Sequence, residues 1–468
     1  MAHELLESHQ SIDRRDFIKA AGLSAGLFWL DGGRPRRLLG EGVISASSPD
    51  VVVIGGGIWG GFTALYLQGM GARVTLVDAY GPGNARSTSG DESRGVRSSY
   101  GDKSDRAIGV LWMQWARESM HRWKLLDQDW SDGLKANLYF TTGDLIVRDE
   151  WDTFAATTRD TWKKHGVPFQ VLKPDDVKHR WPQIEIQDAT AILYEPDAGV
   201  VRARRATQTL AAVFQHRGGR IVTSRATVGK VSSGALQNVV LDTGETLSAD
   251  RFVFACGPWL PKLFPDVLEK KMRIPIGQVC YFGTPVSDER FTHPNVPSWN
   301  FPGVTGWAGL PVDNRGFRVR GSIRPKPVPG APPPVPAPRP PVPPAQMDPD
   351  TSERWFEASR IEGPRRVLEL HFPALKDAPV LATHACHYES SSSGNFIVDR
   401  HPQMHNAWIA GAGNAESFKS APVIGEYVAH RVLEHVTDPK IDKMFRIPAK
   451  EYELQPAAPA APLPARSR

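Results

Sequence analysis

Hydrophobic positions in this chain come in short, separated runs. Val51 to Ile54, after Asp50, is a β-branched run with the composition of a buried parallel strand. A helix over Phe62–Gln68 follows, then a second strand, Val74–Val77, that ends in Asp78. Gly55, Gly57 and Gly60 stand between strand and helix and fit G-x-G-x-x-G. In such a unit the first glycine permits the tight turn, the second lets backbone reach a pyrophosphate, and the third packs helix on strand. The helix directs its positive N-terminal end at the phosphates, with Ile58 in the contacting turn. Asp78 follows the glycines by about 20 residues, where a carboxylate accepts hydrogen bonds from ribose hydroxyls. Strand, helix, strand and acid in register predict a dinucleotide site. The simpler alternative is a glycine turn that only joins a strand to a helix.

The same reading predicts a helix over Arg205–Gln215 and a strand over Arg220–Thr223. Near the C-terminus it predicts a strand at Trp408–Ala410, a turn at Gly411–Gly413, and a helix over Ser420–Val432 whose N-terminus faces the first motif. Residues 326–346 (KPVPGAPPPVPAPRPPVPPAQ) read as an extended, polyproline-like loop, either solvated or a partner-binding strap. The Ala/Pro-rich residues Gln455 to Arg468 read as a disordered tail. The length of 468 residues suffices for two domains.

Ser11–Lys19 matches the twin-arginine export pattern, with Arg14 and Arg15 as the pair. Ala20–Leu30 is an apolar run too short for a membrane span, which takes about 20 residues. Ile44–Ser48 offers a cleavage site. The expectation is export of the folded chain to the periplasm or beyond, with an uncleaved run acting as an anchor. A disordered basic N-terminus is the alternative. Part of the net charge of +5 sits in this segment, and no Lys/Arg run with interleaved aromatics indicates nucleic-acid binding. The three cysteines, Cys256, Cys280 and Cys386, are an odd number without metal-ligand spacing. In an exported protein they argue against a disulfide framework and for one thiol with chemistry of its own.

Further segments separate FAD from NAD. Ala79–Gly101 holds an R-x-x-R-x-x-Y-G stretch formed by Arg94, Arg97, Tyr100 and Gly101. Tyr194–Val200 reads E-P-x-x-G-V after its tyrosine, and Phe252–Trp259 is a strand followed by a G-x-W turn. Met347–Ser352 carries D-P-D-T, His384–Tyr388 contains C-x-Y, and Asn395–Pro402 ends D-x-x-P. Ala407–Lys419 is glycine-rich and ends F-K. On these motifs, in this order over residues 50 to 445, the chain resembles the glycine/D-amino-acid oxidase superfamily. It is most similar to the sarcosine-oxidase, N-methyltryptophan-oxidase and fructosyl-amino-acid-oxidase group.

The resemblance implies an α/β fold. A discontinuous, Rossmann-like FAD-binding domain takes residues 49–140, 195–262 and 380–445. A mixed-sheet α+β substrate domain is inserted at 141–194 and 263–379, with 325–346 as a Pro-rich extra. Residues 1–48 are then the export segment and 446–468 the tail. FAD contacts are implied for Gly55, Gly57, Ile58, Gly60, Asp78, Ser89, Arg94, Gly411, Gly413 and Lys419, and a covalent bond from Cys386 to the flavin 8α-methyl carbon. A buried free thiol is the plainer reading of Cys386. Catalytic roles fall on Arg97 and Lys419, facing the substrate carboxylate, and on Arg94 near the flavin. Solvated loop arginines and a surface lysine are the competing readings. No metal is implied, and the expected state is a monomer acting on a small amino acid or amine.

The implied reaction oxidises the C–N bond of an amino acid or secondary amine to an imine, with oxygen reduced to hydrogen peroxide. A flavin amine dehydrogenase using another acceptor and a catalytically idle flavoprotein subunit are the alternatives. Departures bear on the choice. Ser87, Thr88 and Ser89 stand where relatives carry a histidine, and Ala415-Glu416-Ser417 replaces G-H-G. Glu416 is placed either to bind the substrate amine or to point away. The region Cys280–Phe291 lacks the lysine that promotes reaction with oxygen, and Arg290 is its nearest cation. Trp299, Phe301 and Trp307 are candidates for a cavity wall or for core packing.

Overall fold

A computed structural model describes residue 45 and residues 47–134, 137–186, 188–311, 314–322, 348–352, 354 and 358–452. The twin-arginine pattern, the Pro-rich run and the Ala/Pro-rich tail lie outside the described residues.

The β-branched run forms a strand, Asp50–Ile54, inside a six-stranded sheet. The order across that sheet is Ile397–His401, Met404–Gly411, Arg251–Phe254, Asp50–Ile54, Arg73–Asp78, Arg220–Thr223. Every pair is parallel except the first. Val51 and Val53 point into a helical layer, while Val52 and Ile54 point into a second core beneath the small sheet 226–248. Burial on both faces is why the run is continuously apolar. Parallel pairing also brings Ile54, Asp78, Phe254 and Gly411 to one edge, the carboxyl end, where open α/β sheets bind ligands.

The helical layer consists of Ile58–Gly69, Ala203–His216, Ala421–Val432 and the long Arg106–Leu134. The first two helices match the sequence expectation in place and extend it at their ends, and Ala421–Val432 begins one residue inside the expected Ser420–Val432. The helix Arg106–Leu134 is not among the expectations. Ile108, Leu111, Trp112, Ala116, Met120 and Trp123 on its inner side are buried and recur at the helical spacing of an amphipathic face. No helix among the described residues is long and apolar enough to cross a membrane.

An eight-stranded mixed sheet makes the second body. Its order is Val380–His387, Ile276–Phe282, Phe317–Gly321, Val304–Trp307, Ser298–Phe301, Asp144–Arg148, Ala191–Glu195, Gln170–Val171. The strand Val380–His387 therefore pairs outside the nucleotide sheet, which resumes at Ile397. Trp299 and Phe301 are core rather than cavity wall. They are almost fully buried and pack against Phe317 and Phe372. A three-stranded sheet, Arg94–Val96, Gly199–Val201 and Tyr139–Thr141, carries the R-x-x-R stretch between the two large sheets.

Helix Ala421–Val432 crosses Ile58–Gly69 at Gly425, where a Cβ would stand 2.3 Å from Phe62 Cβ. Contact this close needs the missing side chain. Gly425→Ala is expected to destabilise the protein by about 1–3 kcal/mol through overpacking, read as a lower denaturant midpoint. An unchanged midpoint would show that the helices have room to separate.

Candidate functional site

The turn after the first strand is built by close approach. Gly55 has φ +106°, and a Cβ there would sit 2.3 Å from the Ala255 carbonyl oxygen. A Cβ on Gly60 would sit 1.8 Å from the Gly55 oxygen. Gly57 is different, because its Cβ direction is open apart from Ser89 Oγ at 3.4 Å. Gly57 has no side chain to cap the helix, and the first turn carries no acid. The helix end is left positive and unneutralised, a ready anion site. Ser89 Oγ accepts a hydrogen bond from the Ile58 amide at 3.1 Å and so fixes the following loop to that end.

Asp78 accepts hydrogen bonds from the Gly56 and Tyr80 amides at 2.7 and 2.9 Å. Burial raises its pKa against those bonds. Its carboxylate retains acceptor sites for ribose hydroxyls. Across the cradle, Gly413 donates its amide to Glu389 Oε1 at 3.2 Å, while Glu389 Oε2 is buried without a partner among the described residues. Burial raises the Glu389 pKa as well. Gly411 has a packing role, since a Cβ there would meet Leu260 Cδ1 at 2.3 Å. The turn beyond it holds Ala412, Asn414 and Ala415 at φ +58°, +51° and +58°, a conformation costing side-chain-bearing residues about 1–3 kcal/mol each. An open glycine, a bare helix end, an acid at the next strand and an orphaned buried oxygen fit a dinucleotide.

A charge cluster borders this cradle. Asp91, almost fully buried, pairs with Arg94, lies 3.5 Å from Arg318 and accepts from the Tyr281 hydroxyl at 2.8 Å. Burial alone would raise the Asp91 pKa, but Arg94 and Arg318 hold it far below the usual carboxylate range. Arg94 also donates to the Thr88 carbonyl at 2.8 Å and approaches Cys386 Sγ at 3.9 Å. Cys386 is buried, which raises its thiol pKa, and Arg94 pulls it back. Burial pushes the Cys280 thiol to about 11, and that of Cys256 higher still.

Arg318 belongs to none of the sequence motifs. Its guanidinium lies 4.0 Å from the centre of the Trp307 ring, and its Nε and Nη1 are buried without partners among the described residues. Strand pairing sets it opposite Tyr281 and Trp307, which no local motif reveals. Arg290, the nearest cation by sequence, is instead exposed and paired with Asp288 on a short 3₁₀ turn. Of the three candidate cavity aromatics only Trp307 reaches this neighbourhood. Its Nε1 donates to Ser93 Oγ at 2.9 Å.

Beside the cluster lies a second group of charged side chains, Arg97, Lys419 and Glu416. Arg97 is half-buried, and among the described residues it has no hydrogen bond and no carboxylate within 4 Å. Asp144, Glu416 and Glu195 act on it from farther away. Its neighbour Ser98 is held by Glu195, which accepts from the Ser98 amide at 2.9 Å and hydroxyl at 2.5 Å. Lys419 is buried, with Nζ 4.9 Å from the Tyr100 ring and 2.5 Å from Glu416 Oε2. The Trp123 indole donates to the Lys419 carbonyl at 3.2 Å. Glu416 thus points inward, to Lys419. The chain therefore places Arg94 and Cys386 on one side of the cradle, and Arg97 and Lys419 together beside it.

Comparison with known proteins agrees with this geometry. Monomeric sarcosine oxidase from Bacillus sp. (strain B-0618) is 24% identical over 428 residues, covering 87% of this chain and 98% of its own. N-methyl-L-tryptophan oxidase from Yersinia pestis is 22% identical over 388 residues, covering 81% and 94%. The crystal structure of iminodiacetate oxidase from Chelativorans sp. BNC1 shares the fold, with a TM-score of 0.66 at 17% identity over 85% of this chain and 98% of that one. The profile of the FAD dependent oxidoreductases (DAO) matches residues 50–431. With that span covering most of its length, the chain belongs to the family of FAD dependent oxidoreductases and is a flavoenzyme.

Proposed function

We propose that this enzyme oxidises the C–N bond of an N-substituted amino acid. The observation that carries the reading is Arg97, a half-buried guanidinium with no carboxylate within 4 Å among the described residues, beside a cradle that fits FAD. A cation withdrawn from water and left unpaired is costly. A substrate carboxylate, docked bidentately, satisfies it. The bound carboxylate fixes the substrate's amino group at a set distance from the cradle. Bound FAD supplies the two-electron acceptor for a hydride from the carbon next to nitrogen. Water then hydrolyses the resulting imine. Tyr100 lies against Lys419, Trp307 and Arg97 both border Gly95, and Glu195 holds Ser98 next to Arg97. The names of the sarcosine and N-methyl-L-tryptophan oxidases among its relatives support an N-methyl or similarly substituted amine. The name monomeric sarcosine oxidase supports a monomer.

We further propose oxygen as the electron acceptor. One observation favours a different acceptor. The cations bordering the cradle, Arg94 and Arg318, share Asp91, and the region Cys280–Phe291 holds no lysine. Cys386 is the proposed covalent anchor, supported by its strand position beside Arg94.

Arg97→Met is expected to lower kcat/KM for an N-methyl amino acid by a hundredfold or more, chiefly through KM, as removal of a buried charge pair costs about 2–5 kcal/mol. Steady-state kinetics with unchanged KM would contradict the carboxylate role. Acid denaturation should leave the yellow colour on the polypeptide, whereas Cys386→Ser should release it; release from the natural chain would remove the tether. Turnover in air should form one hydrogen peroxide per substrate oxidised. Substrate-dependent dye reduction without peroxide would point to the dehydrogenase instead.

A further inference from the structure

The lysine that the family resemblance assigns to the substrate carboxylate already holds one. Glu416 Oε2 lies 2.5 Å from Lys419 Nζ, and the 3₁₀ turn Ser417–Ser420 keeps the two side chains on one side. Lys419 is buried, so the bond is shielded from bulk water, where charge-assisted pairs are strong. Burial would raise the Glu416 pKa, but Lys419, Lys103 and Arg97 bring it down to about 2. A carboxylate on the same chain competes at the high effective concentration of an intramolecular partner. A free substrate carboxylate reaches Lys419 only by displacing it. Arg97 has no such internal partner within 4 Å among the described residues.

We propose that Glu416 is a specificity residue, a built-in carboxylate that withdraws Lys419 from substrate recognition and leaves Arg97 to bind a single substrate carboxylate. The inference rests on the amine-oxidising reading above and narrows its substrate class. The enzyme takes N-substituted amino acids with one carboxylate and rejects iminodicarboxylates. A second carboxylate would meet a lysine that is already paired and a glutamate of its own sign.

The test is calorimetric titration of the yellow holoenzyme with acetate and with malonate at low ionic strength. The natural enzyme should bind malonate within about twofold of acetate. Glu416→Gln frees Lys419 and should bind malonate about tenfold tighter or more than the natural enzyme does, the scale of one new charge-assisted pair. Adding Lys419→Met to that variant should abolish the gain. Glu416→Ala serves as a second variant should the glutamine chain lose its colour. Malonate affinity unchanged in these Glu416 variants, with acetate still bound through Arg97, overturns this inference alone. Failure of the natural enzyme to bind either anion overturns it together with the carboxylate reading of Arg97.

Discussion

The structure depends on a helix end that is brought to the edge of a parallel sheet and left without a negative charge. Helix Ile58–Gly69 reaches that position only because Gly60 lies against the Gly55 carbonyl and Gly55 against Ala255. It is braced from the other side by Gly425, which admits Phe62 to direct contact. With no acid in the first turn and no side chain at Gly57, the dipole is unanswered by the chain itself. The surrounding features then acquire their sense. Ser89 ties a loop to the Ile58 amide, Asp78 waits at the next strand, and a strained turn brings the Gly413 amide across from them.

Much of this is legible in the sequence because it is local. A β-branched run, three glycines and an acid are neighbours along the chain, and their spacing states the geometry. The paired positions Arg94 and Arg97 belong to the same class. What the sequence withholds depends on strand pairing. Arg318 enters the site because its strand lies beside Tyr281 and Trp307. Gly411 looks like a second cofactor glycine, yet its missing side chain makes room for Leu260. Trp299 and Phe301 alternate with polar residues as a cavity wall would, but two sides of core close over them. The helix Arg106–Leu134 shows the opposite case. Its apolar spacing is plain in the chain, but its extent follows from the packing of Trp112 and Trp123 on neighbouring aromatic rings.

Charge balance divides the interior into two regions. Around Asp91 two arginines and a tyrosine satisfy one buried carboxylate, an arrangement that fixes Arg94 beside Cys386 and leaves Arg318 Nε and Nη1 without partners among the described residues. In the second group the balance is left open. Lys419 is paired with Glu416, whereas among the described residues no carboxylate lies within 4 Å of Arg97. A charge partly withdrawn from water without a close partner is costly, so such a site is a candidate place for an outside group to complete the structure. On the proposed reading, the fold supplies the cradle and Arg97 the direction in which a substrate carboxylate is turned.

The central claim is that the bare N-terminus at Gly57 holds the diphosphate of FAD. Gly57→Asp tests it most directly, because aspartate is a favourable helix cap and should leave folding intact while placing a carboxylate where the phosphates belong. Absorbance of the purified variant at the flavin bands, alongside its unfolding midpoint, gives the answer. The account predicts a folded, colourless protein that stays colourless after incubation with FAD. A folded variant carrying one FAD per chain would contradict it.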